Sequence, residues 1–284
     1  MHWQLSTRYW ADFSFFWPRR NAIPAAMSQP ETVRDRIDPA RADALMATLG
    51  LPVGVKVGMA LPPLAHLAFF WTPVGEAGLG RDGHAHLGGL IPDLGLPVRM
   101  WAGGRFTFHT PFLAGVAAEK VSTLSGVTRK EGRSGKLGFV TLRHDIRQRN
   151  ALVLSEEQDI VYREGGVLAS EAPIETREAD ERRALKLNEV SLFRYSAVTF
   201  NGHRIHYDQA YCGEEGYPGL VVHGPLLATK LAGFAAETLG GLRRFSFRAT
   251  APLFLGDVAW LCRAGDRYWV EGSARRLCMV AEAE

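Results

Sequence analysis

Apolar and polar side chains alternate along most of the chain between Phe106 and Tyr162. The segments "RFTFHTPF", "AGVAAEKVSTLSGVTRKEG", "KLGFVTLRHDIRQRN" and "ALVLSEEQDIVYRE" follow the two-residue period of a β-strand with one buried face. Turns are indicated at "KEGRSG" and at the Arg149-Asn150 pair. The pattern therefore predicts successive antiparallel strands in this part of the chain.

Two other stretches have the spacing of an amphipathic helix. A helix is predicted within residues 30–49, where Asp38 suits a helix cap. A second helix is predicted over 225–239, because Gly224 and Pro225 suit a first turn. The apolar residues that would share one face are Ala42, Leu45, Met46 and Leu49 in the first helix and Leu226, Leu227, Leu231 and Phe234 in the second.

The remaining segments show weaker patterns. Residues 53–71 are strand-like and end in the apolar run "LAHLAFFW". Residues 72–97 are rich in glycine and proline and predict a long loop, a feature that is often functional in compact domains. The apolar run "FRYSAV" predicts a strand that ends near Val198. Alternating strands are predicted from residue 243 to the end of the chain.

An internal similarity indicates duplication. The segment "RFTFHTPFLAGVAA" at 105–118 resembles "RFSFRATAPLFLGDVA" at 244–259, since each has Phe-x-Phe, a proline, an apolar pair and then a glycine. Chance similarity of two strand-turn-strand segments is the alternative. We interpret the similarity as a duplicated α+β unit. The halves are placed at 28–166 and 189–284, with a polar linker at 167–188.

Composition restricts the class of protein. The chain has 284 residues, 46% of them hydrophobic, which is enough for one large domain or two of ordinary size. A net charge of +3 gives no argument for nucleic-acid binding. No apolar run reaches ~18 residues, so no membrane span is expected.

Residues 1–27 are predicted to be a disordered tail. The three cysteines lack CxxC spacing, which indicates free thiols in a reducing compartment and hence a cytoplasmic protein.

Proton-handling side chains cluster in "TFNGHRIHYDQAY", at 199–211. The cluster contains Asn201, His203, Arg204 and His206. Histidine titrates near neutral pH, so the cluster indicates acid/base chemistry. A purely structural histidine pair and half of a metal site, completed by His84, His86 or His109, also fit these residues. No HExxH or Cys/His spacing supports a metal, so neither a metal nor a cofactor is predicted, and Cys212 is interpreted as packing.

The segment "FRYSAVTFNGHRIHYDQAY", followed by "GYPGLVVHGPLL", resembles the hydratase region of MaoC-like hydroxyacyl-thioester dehydratases. The segment "RDGHAHLGGLIPDLGLPVRMWAGGRF" resembles the first half of the type 2 branch of that family. The similarity extends from about Asp38 to the C-terminus. It implies an α+β double hotdog, in which two curved antiparallel sheets are each wrapped around a long helix.

The resemblance also suggests catalytic residues. In the better-known hydratases of the family the motif runs aspartate, any residue, asparagine, two residues, histidine. These positions fall on Asn201, His203 and His206, so the histidine is retained and the aspartate is not. The type 2 branch uses this Asn-x-His-x-x-His form, and activity is therefore expected. His206 is the predicted base, Asn201 would orient a water, His203 would orient the pair or join its proton network, and the backbone N–H of Gly224 would stabilise an oxyanion.

Substrate contacts are expected from both halves, with one site per chain. The candidate substrate-binding residues are Tyr195, His223, Arg99, Arg81 and Arg204. Arginine binds carboxylates and phosphates in a bidentate way, so the three arginines could contact a substrate carboxylate or CoA phosphates. The histidines of "DGHAHLGG" lack the setting of the motif, and this loop is predicted to be a lid over the pocket.

The resemblance implies a hydratase that converts itaconyl-CoA or mesaconyl-C4-CoA, a short branched dicarboxylic enoyl-CoA thioester, to citramalyl-CoA. The alternatives are a 3-hydroxyacyl-ACP or -CoA dehydratase of fatty acid metabolism and an inactive acyl-CoA binding module. The expected partner is the acyl-CoA substrate, without nucleic acid or membrane. Hotdog domains usually pair sheet edge to sheet edge, which a double hotdog satisfies within one chain, and a further homodimer is also expected.

Overall fold

The computed structural model describes residues 29–86, 88–132, 135–164 and 172–284, and the tail expected at 1–27 lies outside these ranges. Within these ranges, ten strands form one sheet with the order β1-β3-β4-β5-β2-β7-β10-β9-β8-β6, and neighbouring strands are antiparallel. The strands are β1 (Glu31–Arg36), β2 (Val98–Phe108), β3 (Ala117–Gly132), β4 (Gly135–Gln148), β5 (Ala151–Arg163), β6 (Glu181–Leu185), β7 (Arg244–Ala249), β8 (Ala259–Ala264), β9 (Arg267–Glu271) and β10 (Leu277–Ala283).

Each half of the sheet has the same strand order. From its outer edge inward, each half runs first, third, fourth, fifth and second strand, and the halves join where β2 pairs with β7. The two Phe-x-Phe segments lie in these central strands, with Phe106 opposite Phe245. The shared order and the matched position of the similar segments support the predicted duplication.

The predicted strands between Phe106 and Tyr162 are confirmed as the end of β2 and as β3 to β5. The alternation buries Val140, Leu142 and Ile146 on one face of β4. Arg149 and Asn150 have φ values of 49° and 64° and form the two-residue connection between β4 and β5. Left-handed residues at both positions match the twist of an antiparallel hairpin, which explains the tight turn.

Four α-helices lie among the described residues. They are α1 (Pro39–Thr48), α2 (Glu189–Thr199), α3 (Gln209–Glu214) and α4 (Gly224–Leu239). Helices α1 and α4 confirm the two helical predictions, and Asp38 caps α1 by accepting from the N–H of Ala40 (3.2 Å). Helix α4 packs against β2 and β7 to β10 and buries Leu226, Leu231 and Phe234. Among its described residues, the first half contains the shorter α1 as its α-helix, so the long helix expected in each half is observed in the second half.

The prediction of a strand within residues 53–71 is wrong. This segment is irregular and contains a 3₁₀-helix at Ala65–Ala68, flanked by left-handed residues at Leu64 and Phe70. Pro62 and Pro63 lack the N–H groups that a sheet ladder requires, which explains why the apolar residues do not form a strand.

The prediction of a strand at "FRYSAV" is also wrong, because this run lies in α2. Asn188 and Ser191 form a reciprocal capping box that starts the helix. Leu192, Tyr195 and Val198 then bury one helical face. A short apolar run alone does not distinguish a strand from a buried helix. Here the capping box before the run shows that it is helical.

The predicted linker at 167–188 contains regular structure. Strand β6 lies within it and pairs with β8 at the outer edge of the sheet, while residues 165–171 lie outside the described ranges. The domain boundaries remain predictions. Within the described ranges, none of the helices combines the length and the apolar character that crossing a membrane would require.

Candidate active site

A cavity of about 480 Å³ lies at the junction of the two halves. Its wall is built from the start of β2, the segment after α2, the start of α4 and the segment after β7. Its lining includes polar residues and the helix start, namely Asp82, His84, Arg99, Asn201, His203, His206 and Gly224. The position suits a site that depends on both copies of the duplicated unit.

Local turns hold the histidine motif in place. Helix α2 is followed by its C-cap residue Phe200, which is left-handed with a φ of 53°. The side-chain oxygen of Asn201 accepts from the N–H of His203 (3.0 Å). A 3₁₀-turn at Arg204–His206 follows, and Asp208 then caps α3 by accepting from the N–H of Tyr211 (3.0 Å). The motif therefore lies on a bend between two helices, not at the end of a strand.

His206 is buried at the cavity wall in one defined tautomer. Its Nδ1 donates to the carbonyl oxygen of Val221 (2.7 Å), and a carbonyl can only accept. Nε2 therefore carries the lone pair. Burial lowers the pKa of His206 to about 4, although the bond to Val221 opposes the shift. The ring is neutral at pH 7 and can accept a proton through Nε2.

The ring of His223 packs directly against the ring of His206. The two rings stack with centroids 3.5 Å apart, and His223 Nε2 is hydrogen-bonded to the hydroxyl of Ser196 (2.8 Å). Tyr195 packs edge-on against His223. Burial lowers the pKa of His223 well below its ordinary value, and the neighbouring His206 and His203 add to the shift. Neither Tyr195 nor His223 lines the cavity. The structure therefore places these two predicted substrate contacts outside the cavity, where His223 packs against His206 and Tyr195 packs against His223.

Asn201 and His203 lie at the cavity wall beside His206. Burial lowers the pKa of His203 to about 3, so this ring is also neutral at pH 7. The rings of His203 and His206 meet edge to face, 5.5 Å between centroids. Because a neutral amide is not a base, Asn201 can orient a water but cannot deprotonate it.

The start of α4 supplies hydrogen-bond donors at the same wall. His223 occupies the N-cap position and its side chain makes no capping bond. The first amides of a helix lack partners within the helix, and they carry partial positive charge. Gly224 lines the cavity, and Pro225, which has no N–H, occupies the first turn. The wall therefore combines a neutral base with donors that suit a developing oxyanion.

The three predicted arginines are placed differently. Arg99 is half-buried and lines the cavity, with one guanidinium N–H on the carbonyl of Ala85 (3.2 Å). Arg81 pairs with Glu214 and Arg204 pairs with Asp208. These last two arginines lie outside the cavity lining, so Arg99 is the one that reaches the cavity.

Sequence reasoning missed Asp82 and named His84 only as a possible metal ligand; both lie in the loop interpreted as a lid. Both line the cavity, and the rings of His84 and His203 lie 4.3 Å apart. More than a hundred positions separate the loop from the motif, so no local pattern could reveal the contact. Among the described residues, Asp82, His84 and His203 are the group whose ligand-type atoms lie within 4.8 Å of one another. His86 and His109, the other candidate metal ligands, do not belong to that group.

Comparison with known proteins gives the family. A family model for hydroxyacyl-thioester dehydratase type 2 matches residues 64–255. The chain is 44% identical to the mesaconyl-C(4)-CoA hydratase of Chloroflexus aurantiacus over 87% of this chain and 91% of that protein. It is 26% identical to the mitochondrial hydroxyacyl-thioester dehydratase type 2 of Schizosaccharomyces pombe, over 83% of this chain and 90% of that protein.

Solved structures support the predicted fold. A protein of Mycobacterium tuberculosis with a double hotdog fold superposes with a TM-score of 0.58 at 14% identity, covering 91% of this chain and 95% of that one. At this identity the match concerns the fold alone. Together with the repeated strand order, it confirms the α+β double hotdog.

Proposed function

Since this chain belongs to the hydroxyacyl-thioester dehydratase type 2 family, it is a hydro-lyase, and we propose that it hydrates a short, branched, dicarboxylic enoyl-CoA thioester. Mesaconyl-C4-CoA is the first substrate to test, because the relative at 44% identity is a mesaconyl-C(4)-CoA hydratase. The observation that carries the proposal is the fixed tautomer of His206. Its Nδ1 is committed to Val221, so Nε2 is the basic atom, at the wall of a cavity that also contains the start of α4.

The proposed reaction moves one proton off water and places one on carbon. Nε2 of His206 accepts a proton from a water that Asn201 orients, and the water oxygen bonds to the β-carbon. The electron pair of the double bond moves toward the thioester oxygen. The N–H of Gly224, at the positive end of α4, stabilises the resulting enolate. A proton added to the α-carbon completes the hydration.

Arg99 supports a dicarboxylic substrate. A guanidinium on the wall of a largely apolar cavity can pair with a carboxylate at the far end of a short acyl group. In mesaconyl-C4-CoA that carboxylate is bonded to the β-carbon, so the pairing would set the position of the β-carbon relative to His206. Itaconyl-CoA also carries such a carboxylate. Its double bond lies one carbon further from the thioester, so the same base would also have to remove an α-proton.

A dehydratase of 3-hydroxyacyl chains is the second candidate. The apolar residues Ile160, Leu227, Leu253 and Met279 line part of the cavity and would suit an alkyl chain. The Schizosaccharomyces pombe relative is named a hydroxyacyl-thioester dehydratase.

The homodimer and the cytoplasmic location also remain proposals.

The test is a panel of enoyl-CoA substrates assayed by loss of enoyl-thioester absorbance. We expect turnover of mesaconyl-C4-CoA by the wild type. His206→Ala should lower kcat by about 100-fold or more, and Asn201→Ala should have a smaller effect, with thermal unfolding little changed. His86→Ala is the matched control, because His86 is exposed and outside the cavity. A His206→Ala enzyme with the wild-type rate would refute the base assignment. A wild type that binds but turns over none of the panel would indicate an acyl-CoA binding module.

A further inference from the structure

We propose that Asp82 and His84, which belong to the first half, form a second acid/base unit of the active site. In this proposal, which rests on the proposed hydratase function, His84 exchanges the proton at the α-carbon and Asp82 positions His84. The family motif lacks its carboxylate at Asn201. The structure places the carboxylate of Asp82 at the same cavity, delivered by a different part of the chain.

The hydrogen bonds within the pair orient His84. Asp82 Oδ2 lies 3.0 Å from His84 Nδ1, and Asp82 Oδ1 accepts from the backbone N–H of His84 at 3.0 Å. Burial alone would raise the pKa of Asp82, but the hydrogen bonds from His84 outweigh it and hold that pKa well below its ordinary value. An ionised carboxylate only accepts, so Nδ1 of His84 carries a proton. Nε2 is then the ring atom that is available for proton transfer.

Backbone contacts fix this pair against the histidine motif. The N–H of Arg204 donates to the carbonyl of Asp82 (2.9 Å). Gly83 is left-handed with a φ of +85°, and a Cβ on it would lie 2.1 Å from the carbonyl oxygen of Gly202. A Cβ on Gly202 would lie 2.7 Å from the carbonyl oxygen of Gly83. Two glycines are therefore required where the loop meets the motif, and this close approach sets the position of His84.

Two proton-transfer groups meet at His203. The ring centroids of His84 and His206 lie 4.3 Å and 5.5 Å from that of His203. Hydration needs one group that removes a proton from water and one that delivers a proton to the α-carbon. His206 takes the first role. His84, as an imidazolium paired with Asp82, donates its Nε2 proton to the α-carbon while the enolate electron pair forms the C–H bond. Exchange with solvent then returns a proton to His84 and removes one from His206.

The test compares His84→Ala, Asp82→Asn and the control His86→Ala in the full chain. We expect His84→Ala to lower kcat for mesaconyl-C4-CoA by about 100-fold or more, with KM within about threefold of wild type. Added imidazole should restore part of that rate. Asp82→Asn should lower kcat by about tenfold, and the double variant should respond less to imidazole because nothing orients the added ring. His86→Ala should behave as wild type. Circular dichroism and thermal unfolding check folding, and His84→Gln replaces His84→Ala if the alanine variant does not fold.

The outcomes separate this inference from the proposed function. If His206→Ala is inactive but His84→Ala and Asp82→Asn retain wild-type kcat, the second acid/base unit does not exist and the hydratase function stands. If His206→Ala and His84→Ala both retain full activity, both residue assignments are wrong, whereas a wild type that turns over none of the panel shows that the proposed function itself is wrong. Loss of wild-type activity on treatment with a chelator, restored by a divalent cation, would overturn the inference in favour of a metal held by Asp82, His84 and His203.

Discussion

Mild acid should destabilise this protein through buried histidines, and His223 provides the sharpest test. Burial lowers the pKa of four described histidines, His144, His203, His206 and His223. His223 is fully buried, and its Nδ1 has no hydrogen-bond partner among the described residues. The perturbation is His223→Gln, which removes the titrating ring and keeps a polar group beside Ser196.

The sign and size of the pH effect on the free energy of unfolding depend on the protonation of His223 in the folded and unfolded states. In the unfolded chain a histidine has a pKa near 6.5, and in the folded protein the pKa of His223 is far lower. Between these values the unfolded state binds a proton that the folded state does not, so the free energy of unfolding falls as the pH falls. Between pH 6.5 and pH 5 one such histidine costs about 1.6 kcal/mol. Below that window, carboxylates with lowered pKa values begin to contribute as well.

Urea unfolding followed by tryptophan fluorescence at the two pH values measures the effect. The wild type should lose several kcal/mol of unfolding free energy between pH 6.5 and pH 5, and His223→Gln should lose about 1.6 kcal/mol less. His86→Gln should match the wild type, since His86 is exposed in both states. Equal losses in the wild type and in His223→Gln would show that His223 is already protonated in the folded protein or titrates normally, and the reasoning would be refuted.

Two further predictions concern the substrate and the loop. Arg99→Gln should lower kcat/KM for mesaconyl-C4-CoA by about 10- to 100-fold and leave crotonyl-CoA nearly unaffected; equal losses on both substrates would contradict a carboxylate contact. Gly83→Ala should displace the loop from Gly202 and lower kcat by up to about 100-fold. Gly75→Ala, where a Cβ meets nothing within 4 Å, should leave kcat unchanged; a Gly83→Ala enzyme with wild-type kcat would show that the close approach has no role.

The regular elements could be predicted because their signals are local. Strands β2 to β5 follow a two-residue period, and α1 and α4 have helical spacing with recognisable starts. The prediction of a strand at "FRYSAV" failed because the run is too short to distinguish a strand from a helix. The capping box at Asn188, which shows that the run is helical, lies just before it. The segment around Pro62 and Pro63 is apolar enough for a strand, but the two prolines lack the N–H groups that a sheet ladder requires.

The candidate site also contains residues that local sequence signals predict and a residue that they do not. Asn201, His203, His206 and Gly224 could be predicted because one short motif and the following helix start contain all of them, and the structure places all four at the cavity. His84 could not, because its contact with the motif depends on how the two halves pack. That contact forms only where the backbone of the loop meets the backbone of the motif, a feature that no spacing in the sequence reports.

The duplication also explains why the chemistry is proposed for one half. In the second half, Val221 bridges to Phe254, and the chain then enters α4 at Gly224. In the first half, Ala60 bridges to Leu113 at the equivalent place. A second cavity of about 430 Å³ lies beside that bridge. The two ends of the duplicated fold are therefore built on the same plan, and they differ in the segment that comes directly after each bridge.

The segment after the first bridge cannot stabilise an oxyanion as the start of α4 does. Pro62 and Pro63 occupy the positions that correspond to His223 and Gly224, and proline has no N–H to donate. The helix after them is the four-residue 3₁₀-helix Ala65–Ala68, which is too short to align many peptide dipoles. The histidine in that helix, His66, is committed to Glu156 at 3.0 Å. Loss of the donor helix in one copy leaves a cavity without electrophilic assistance, and this asymmetry favours a single hydration site that draws its loop residues from the other half.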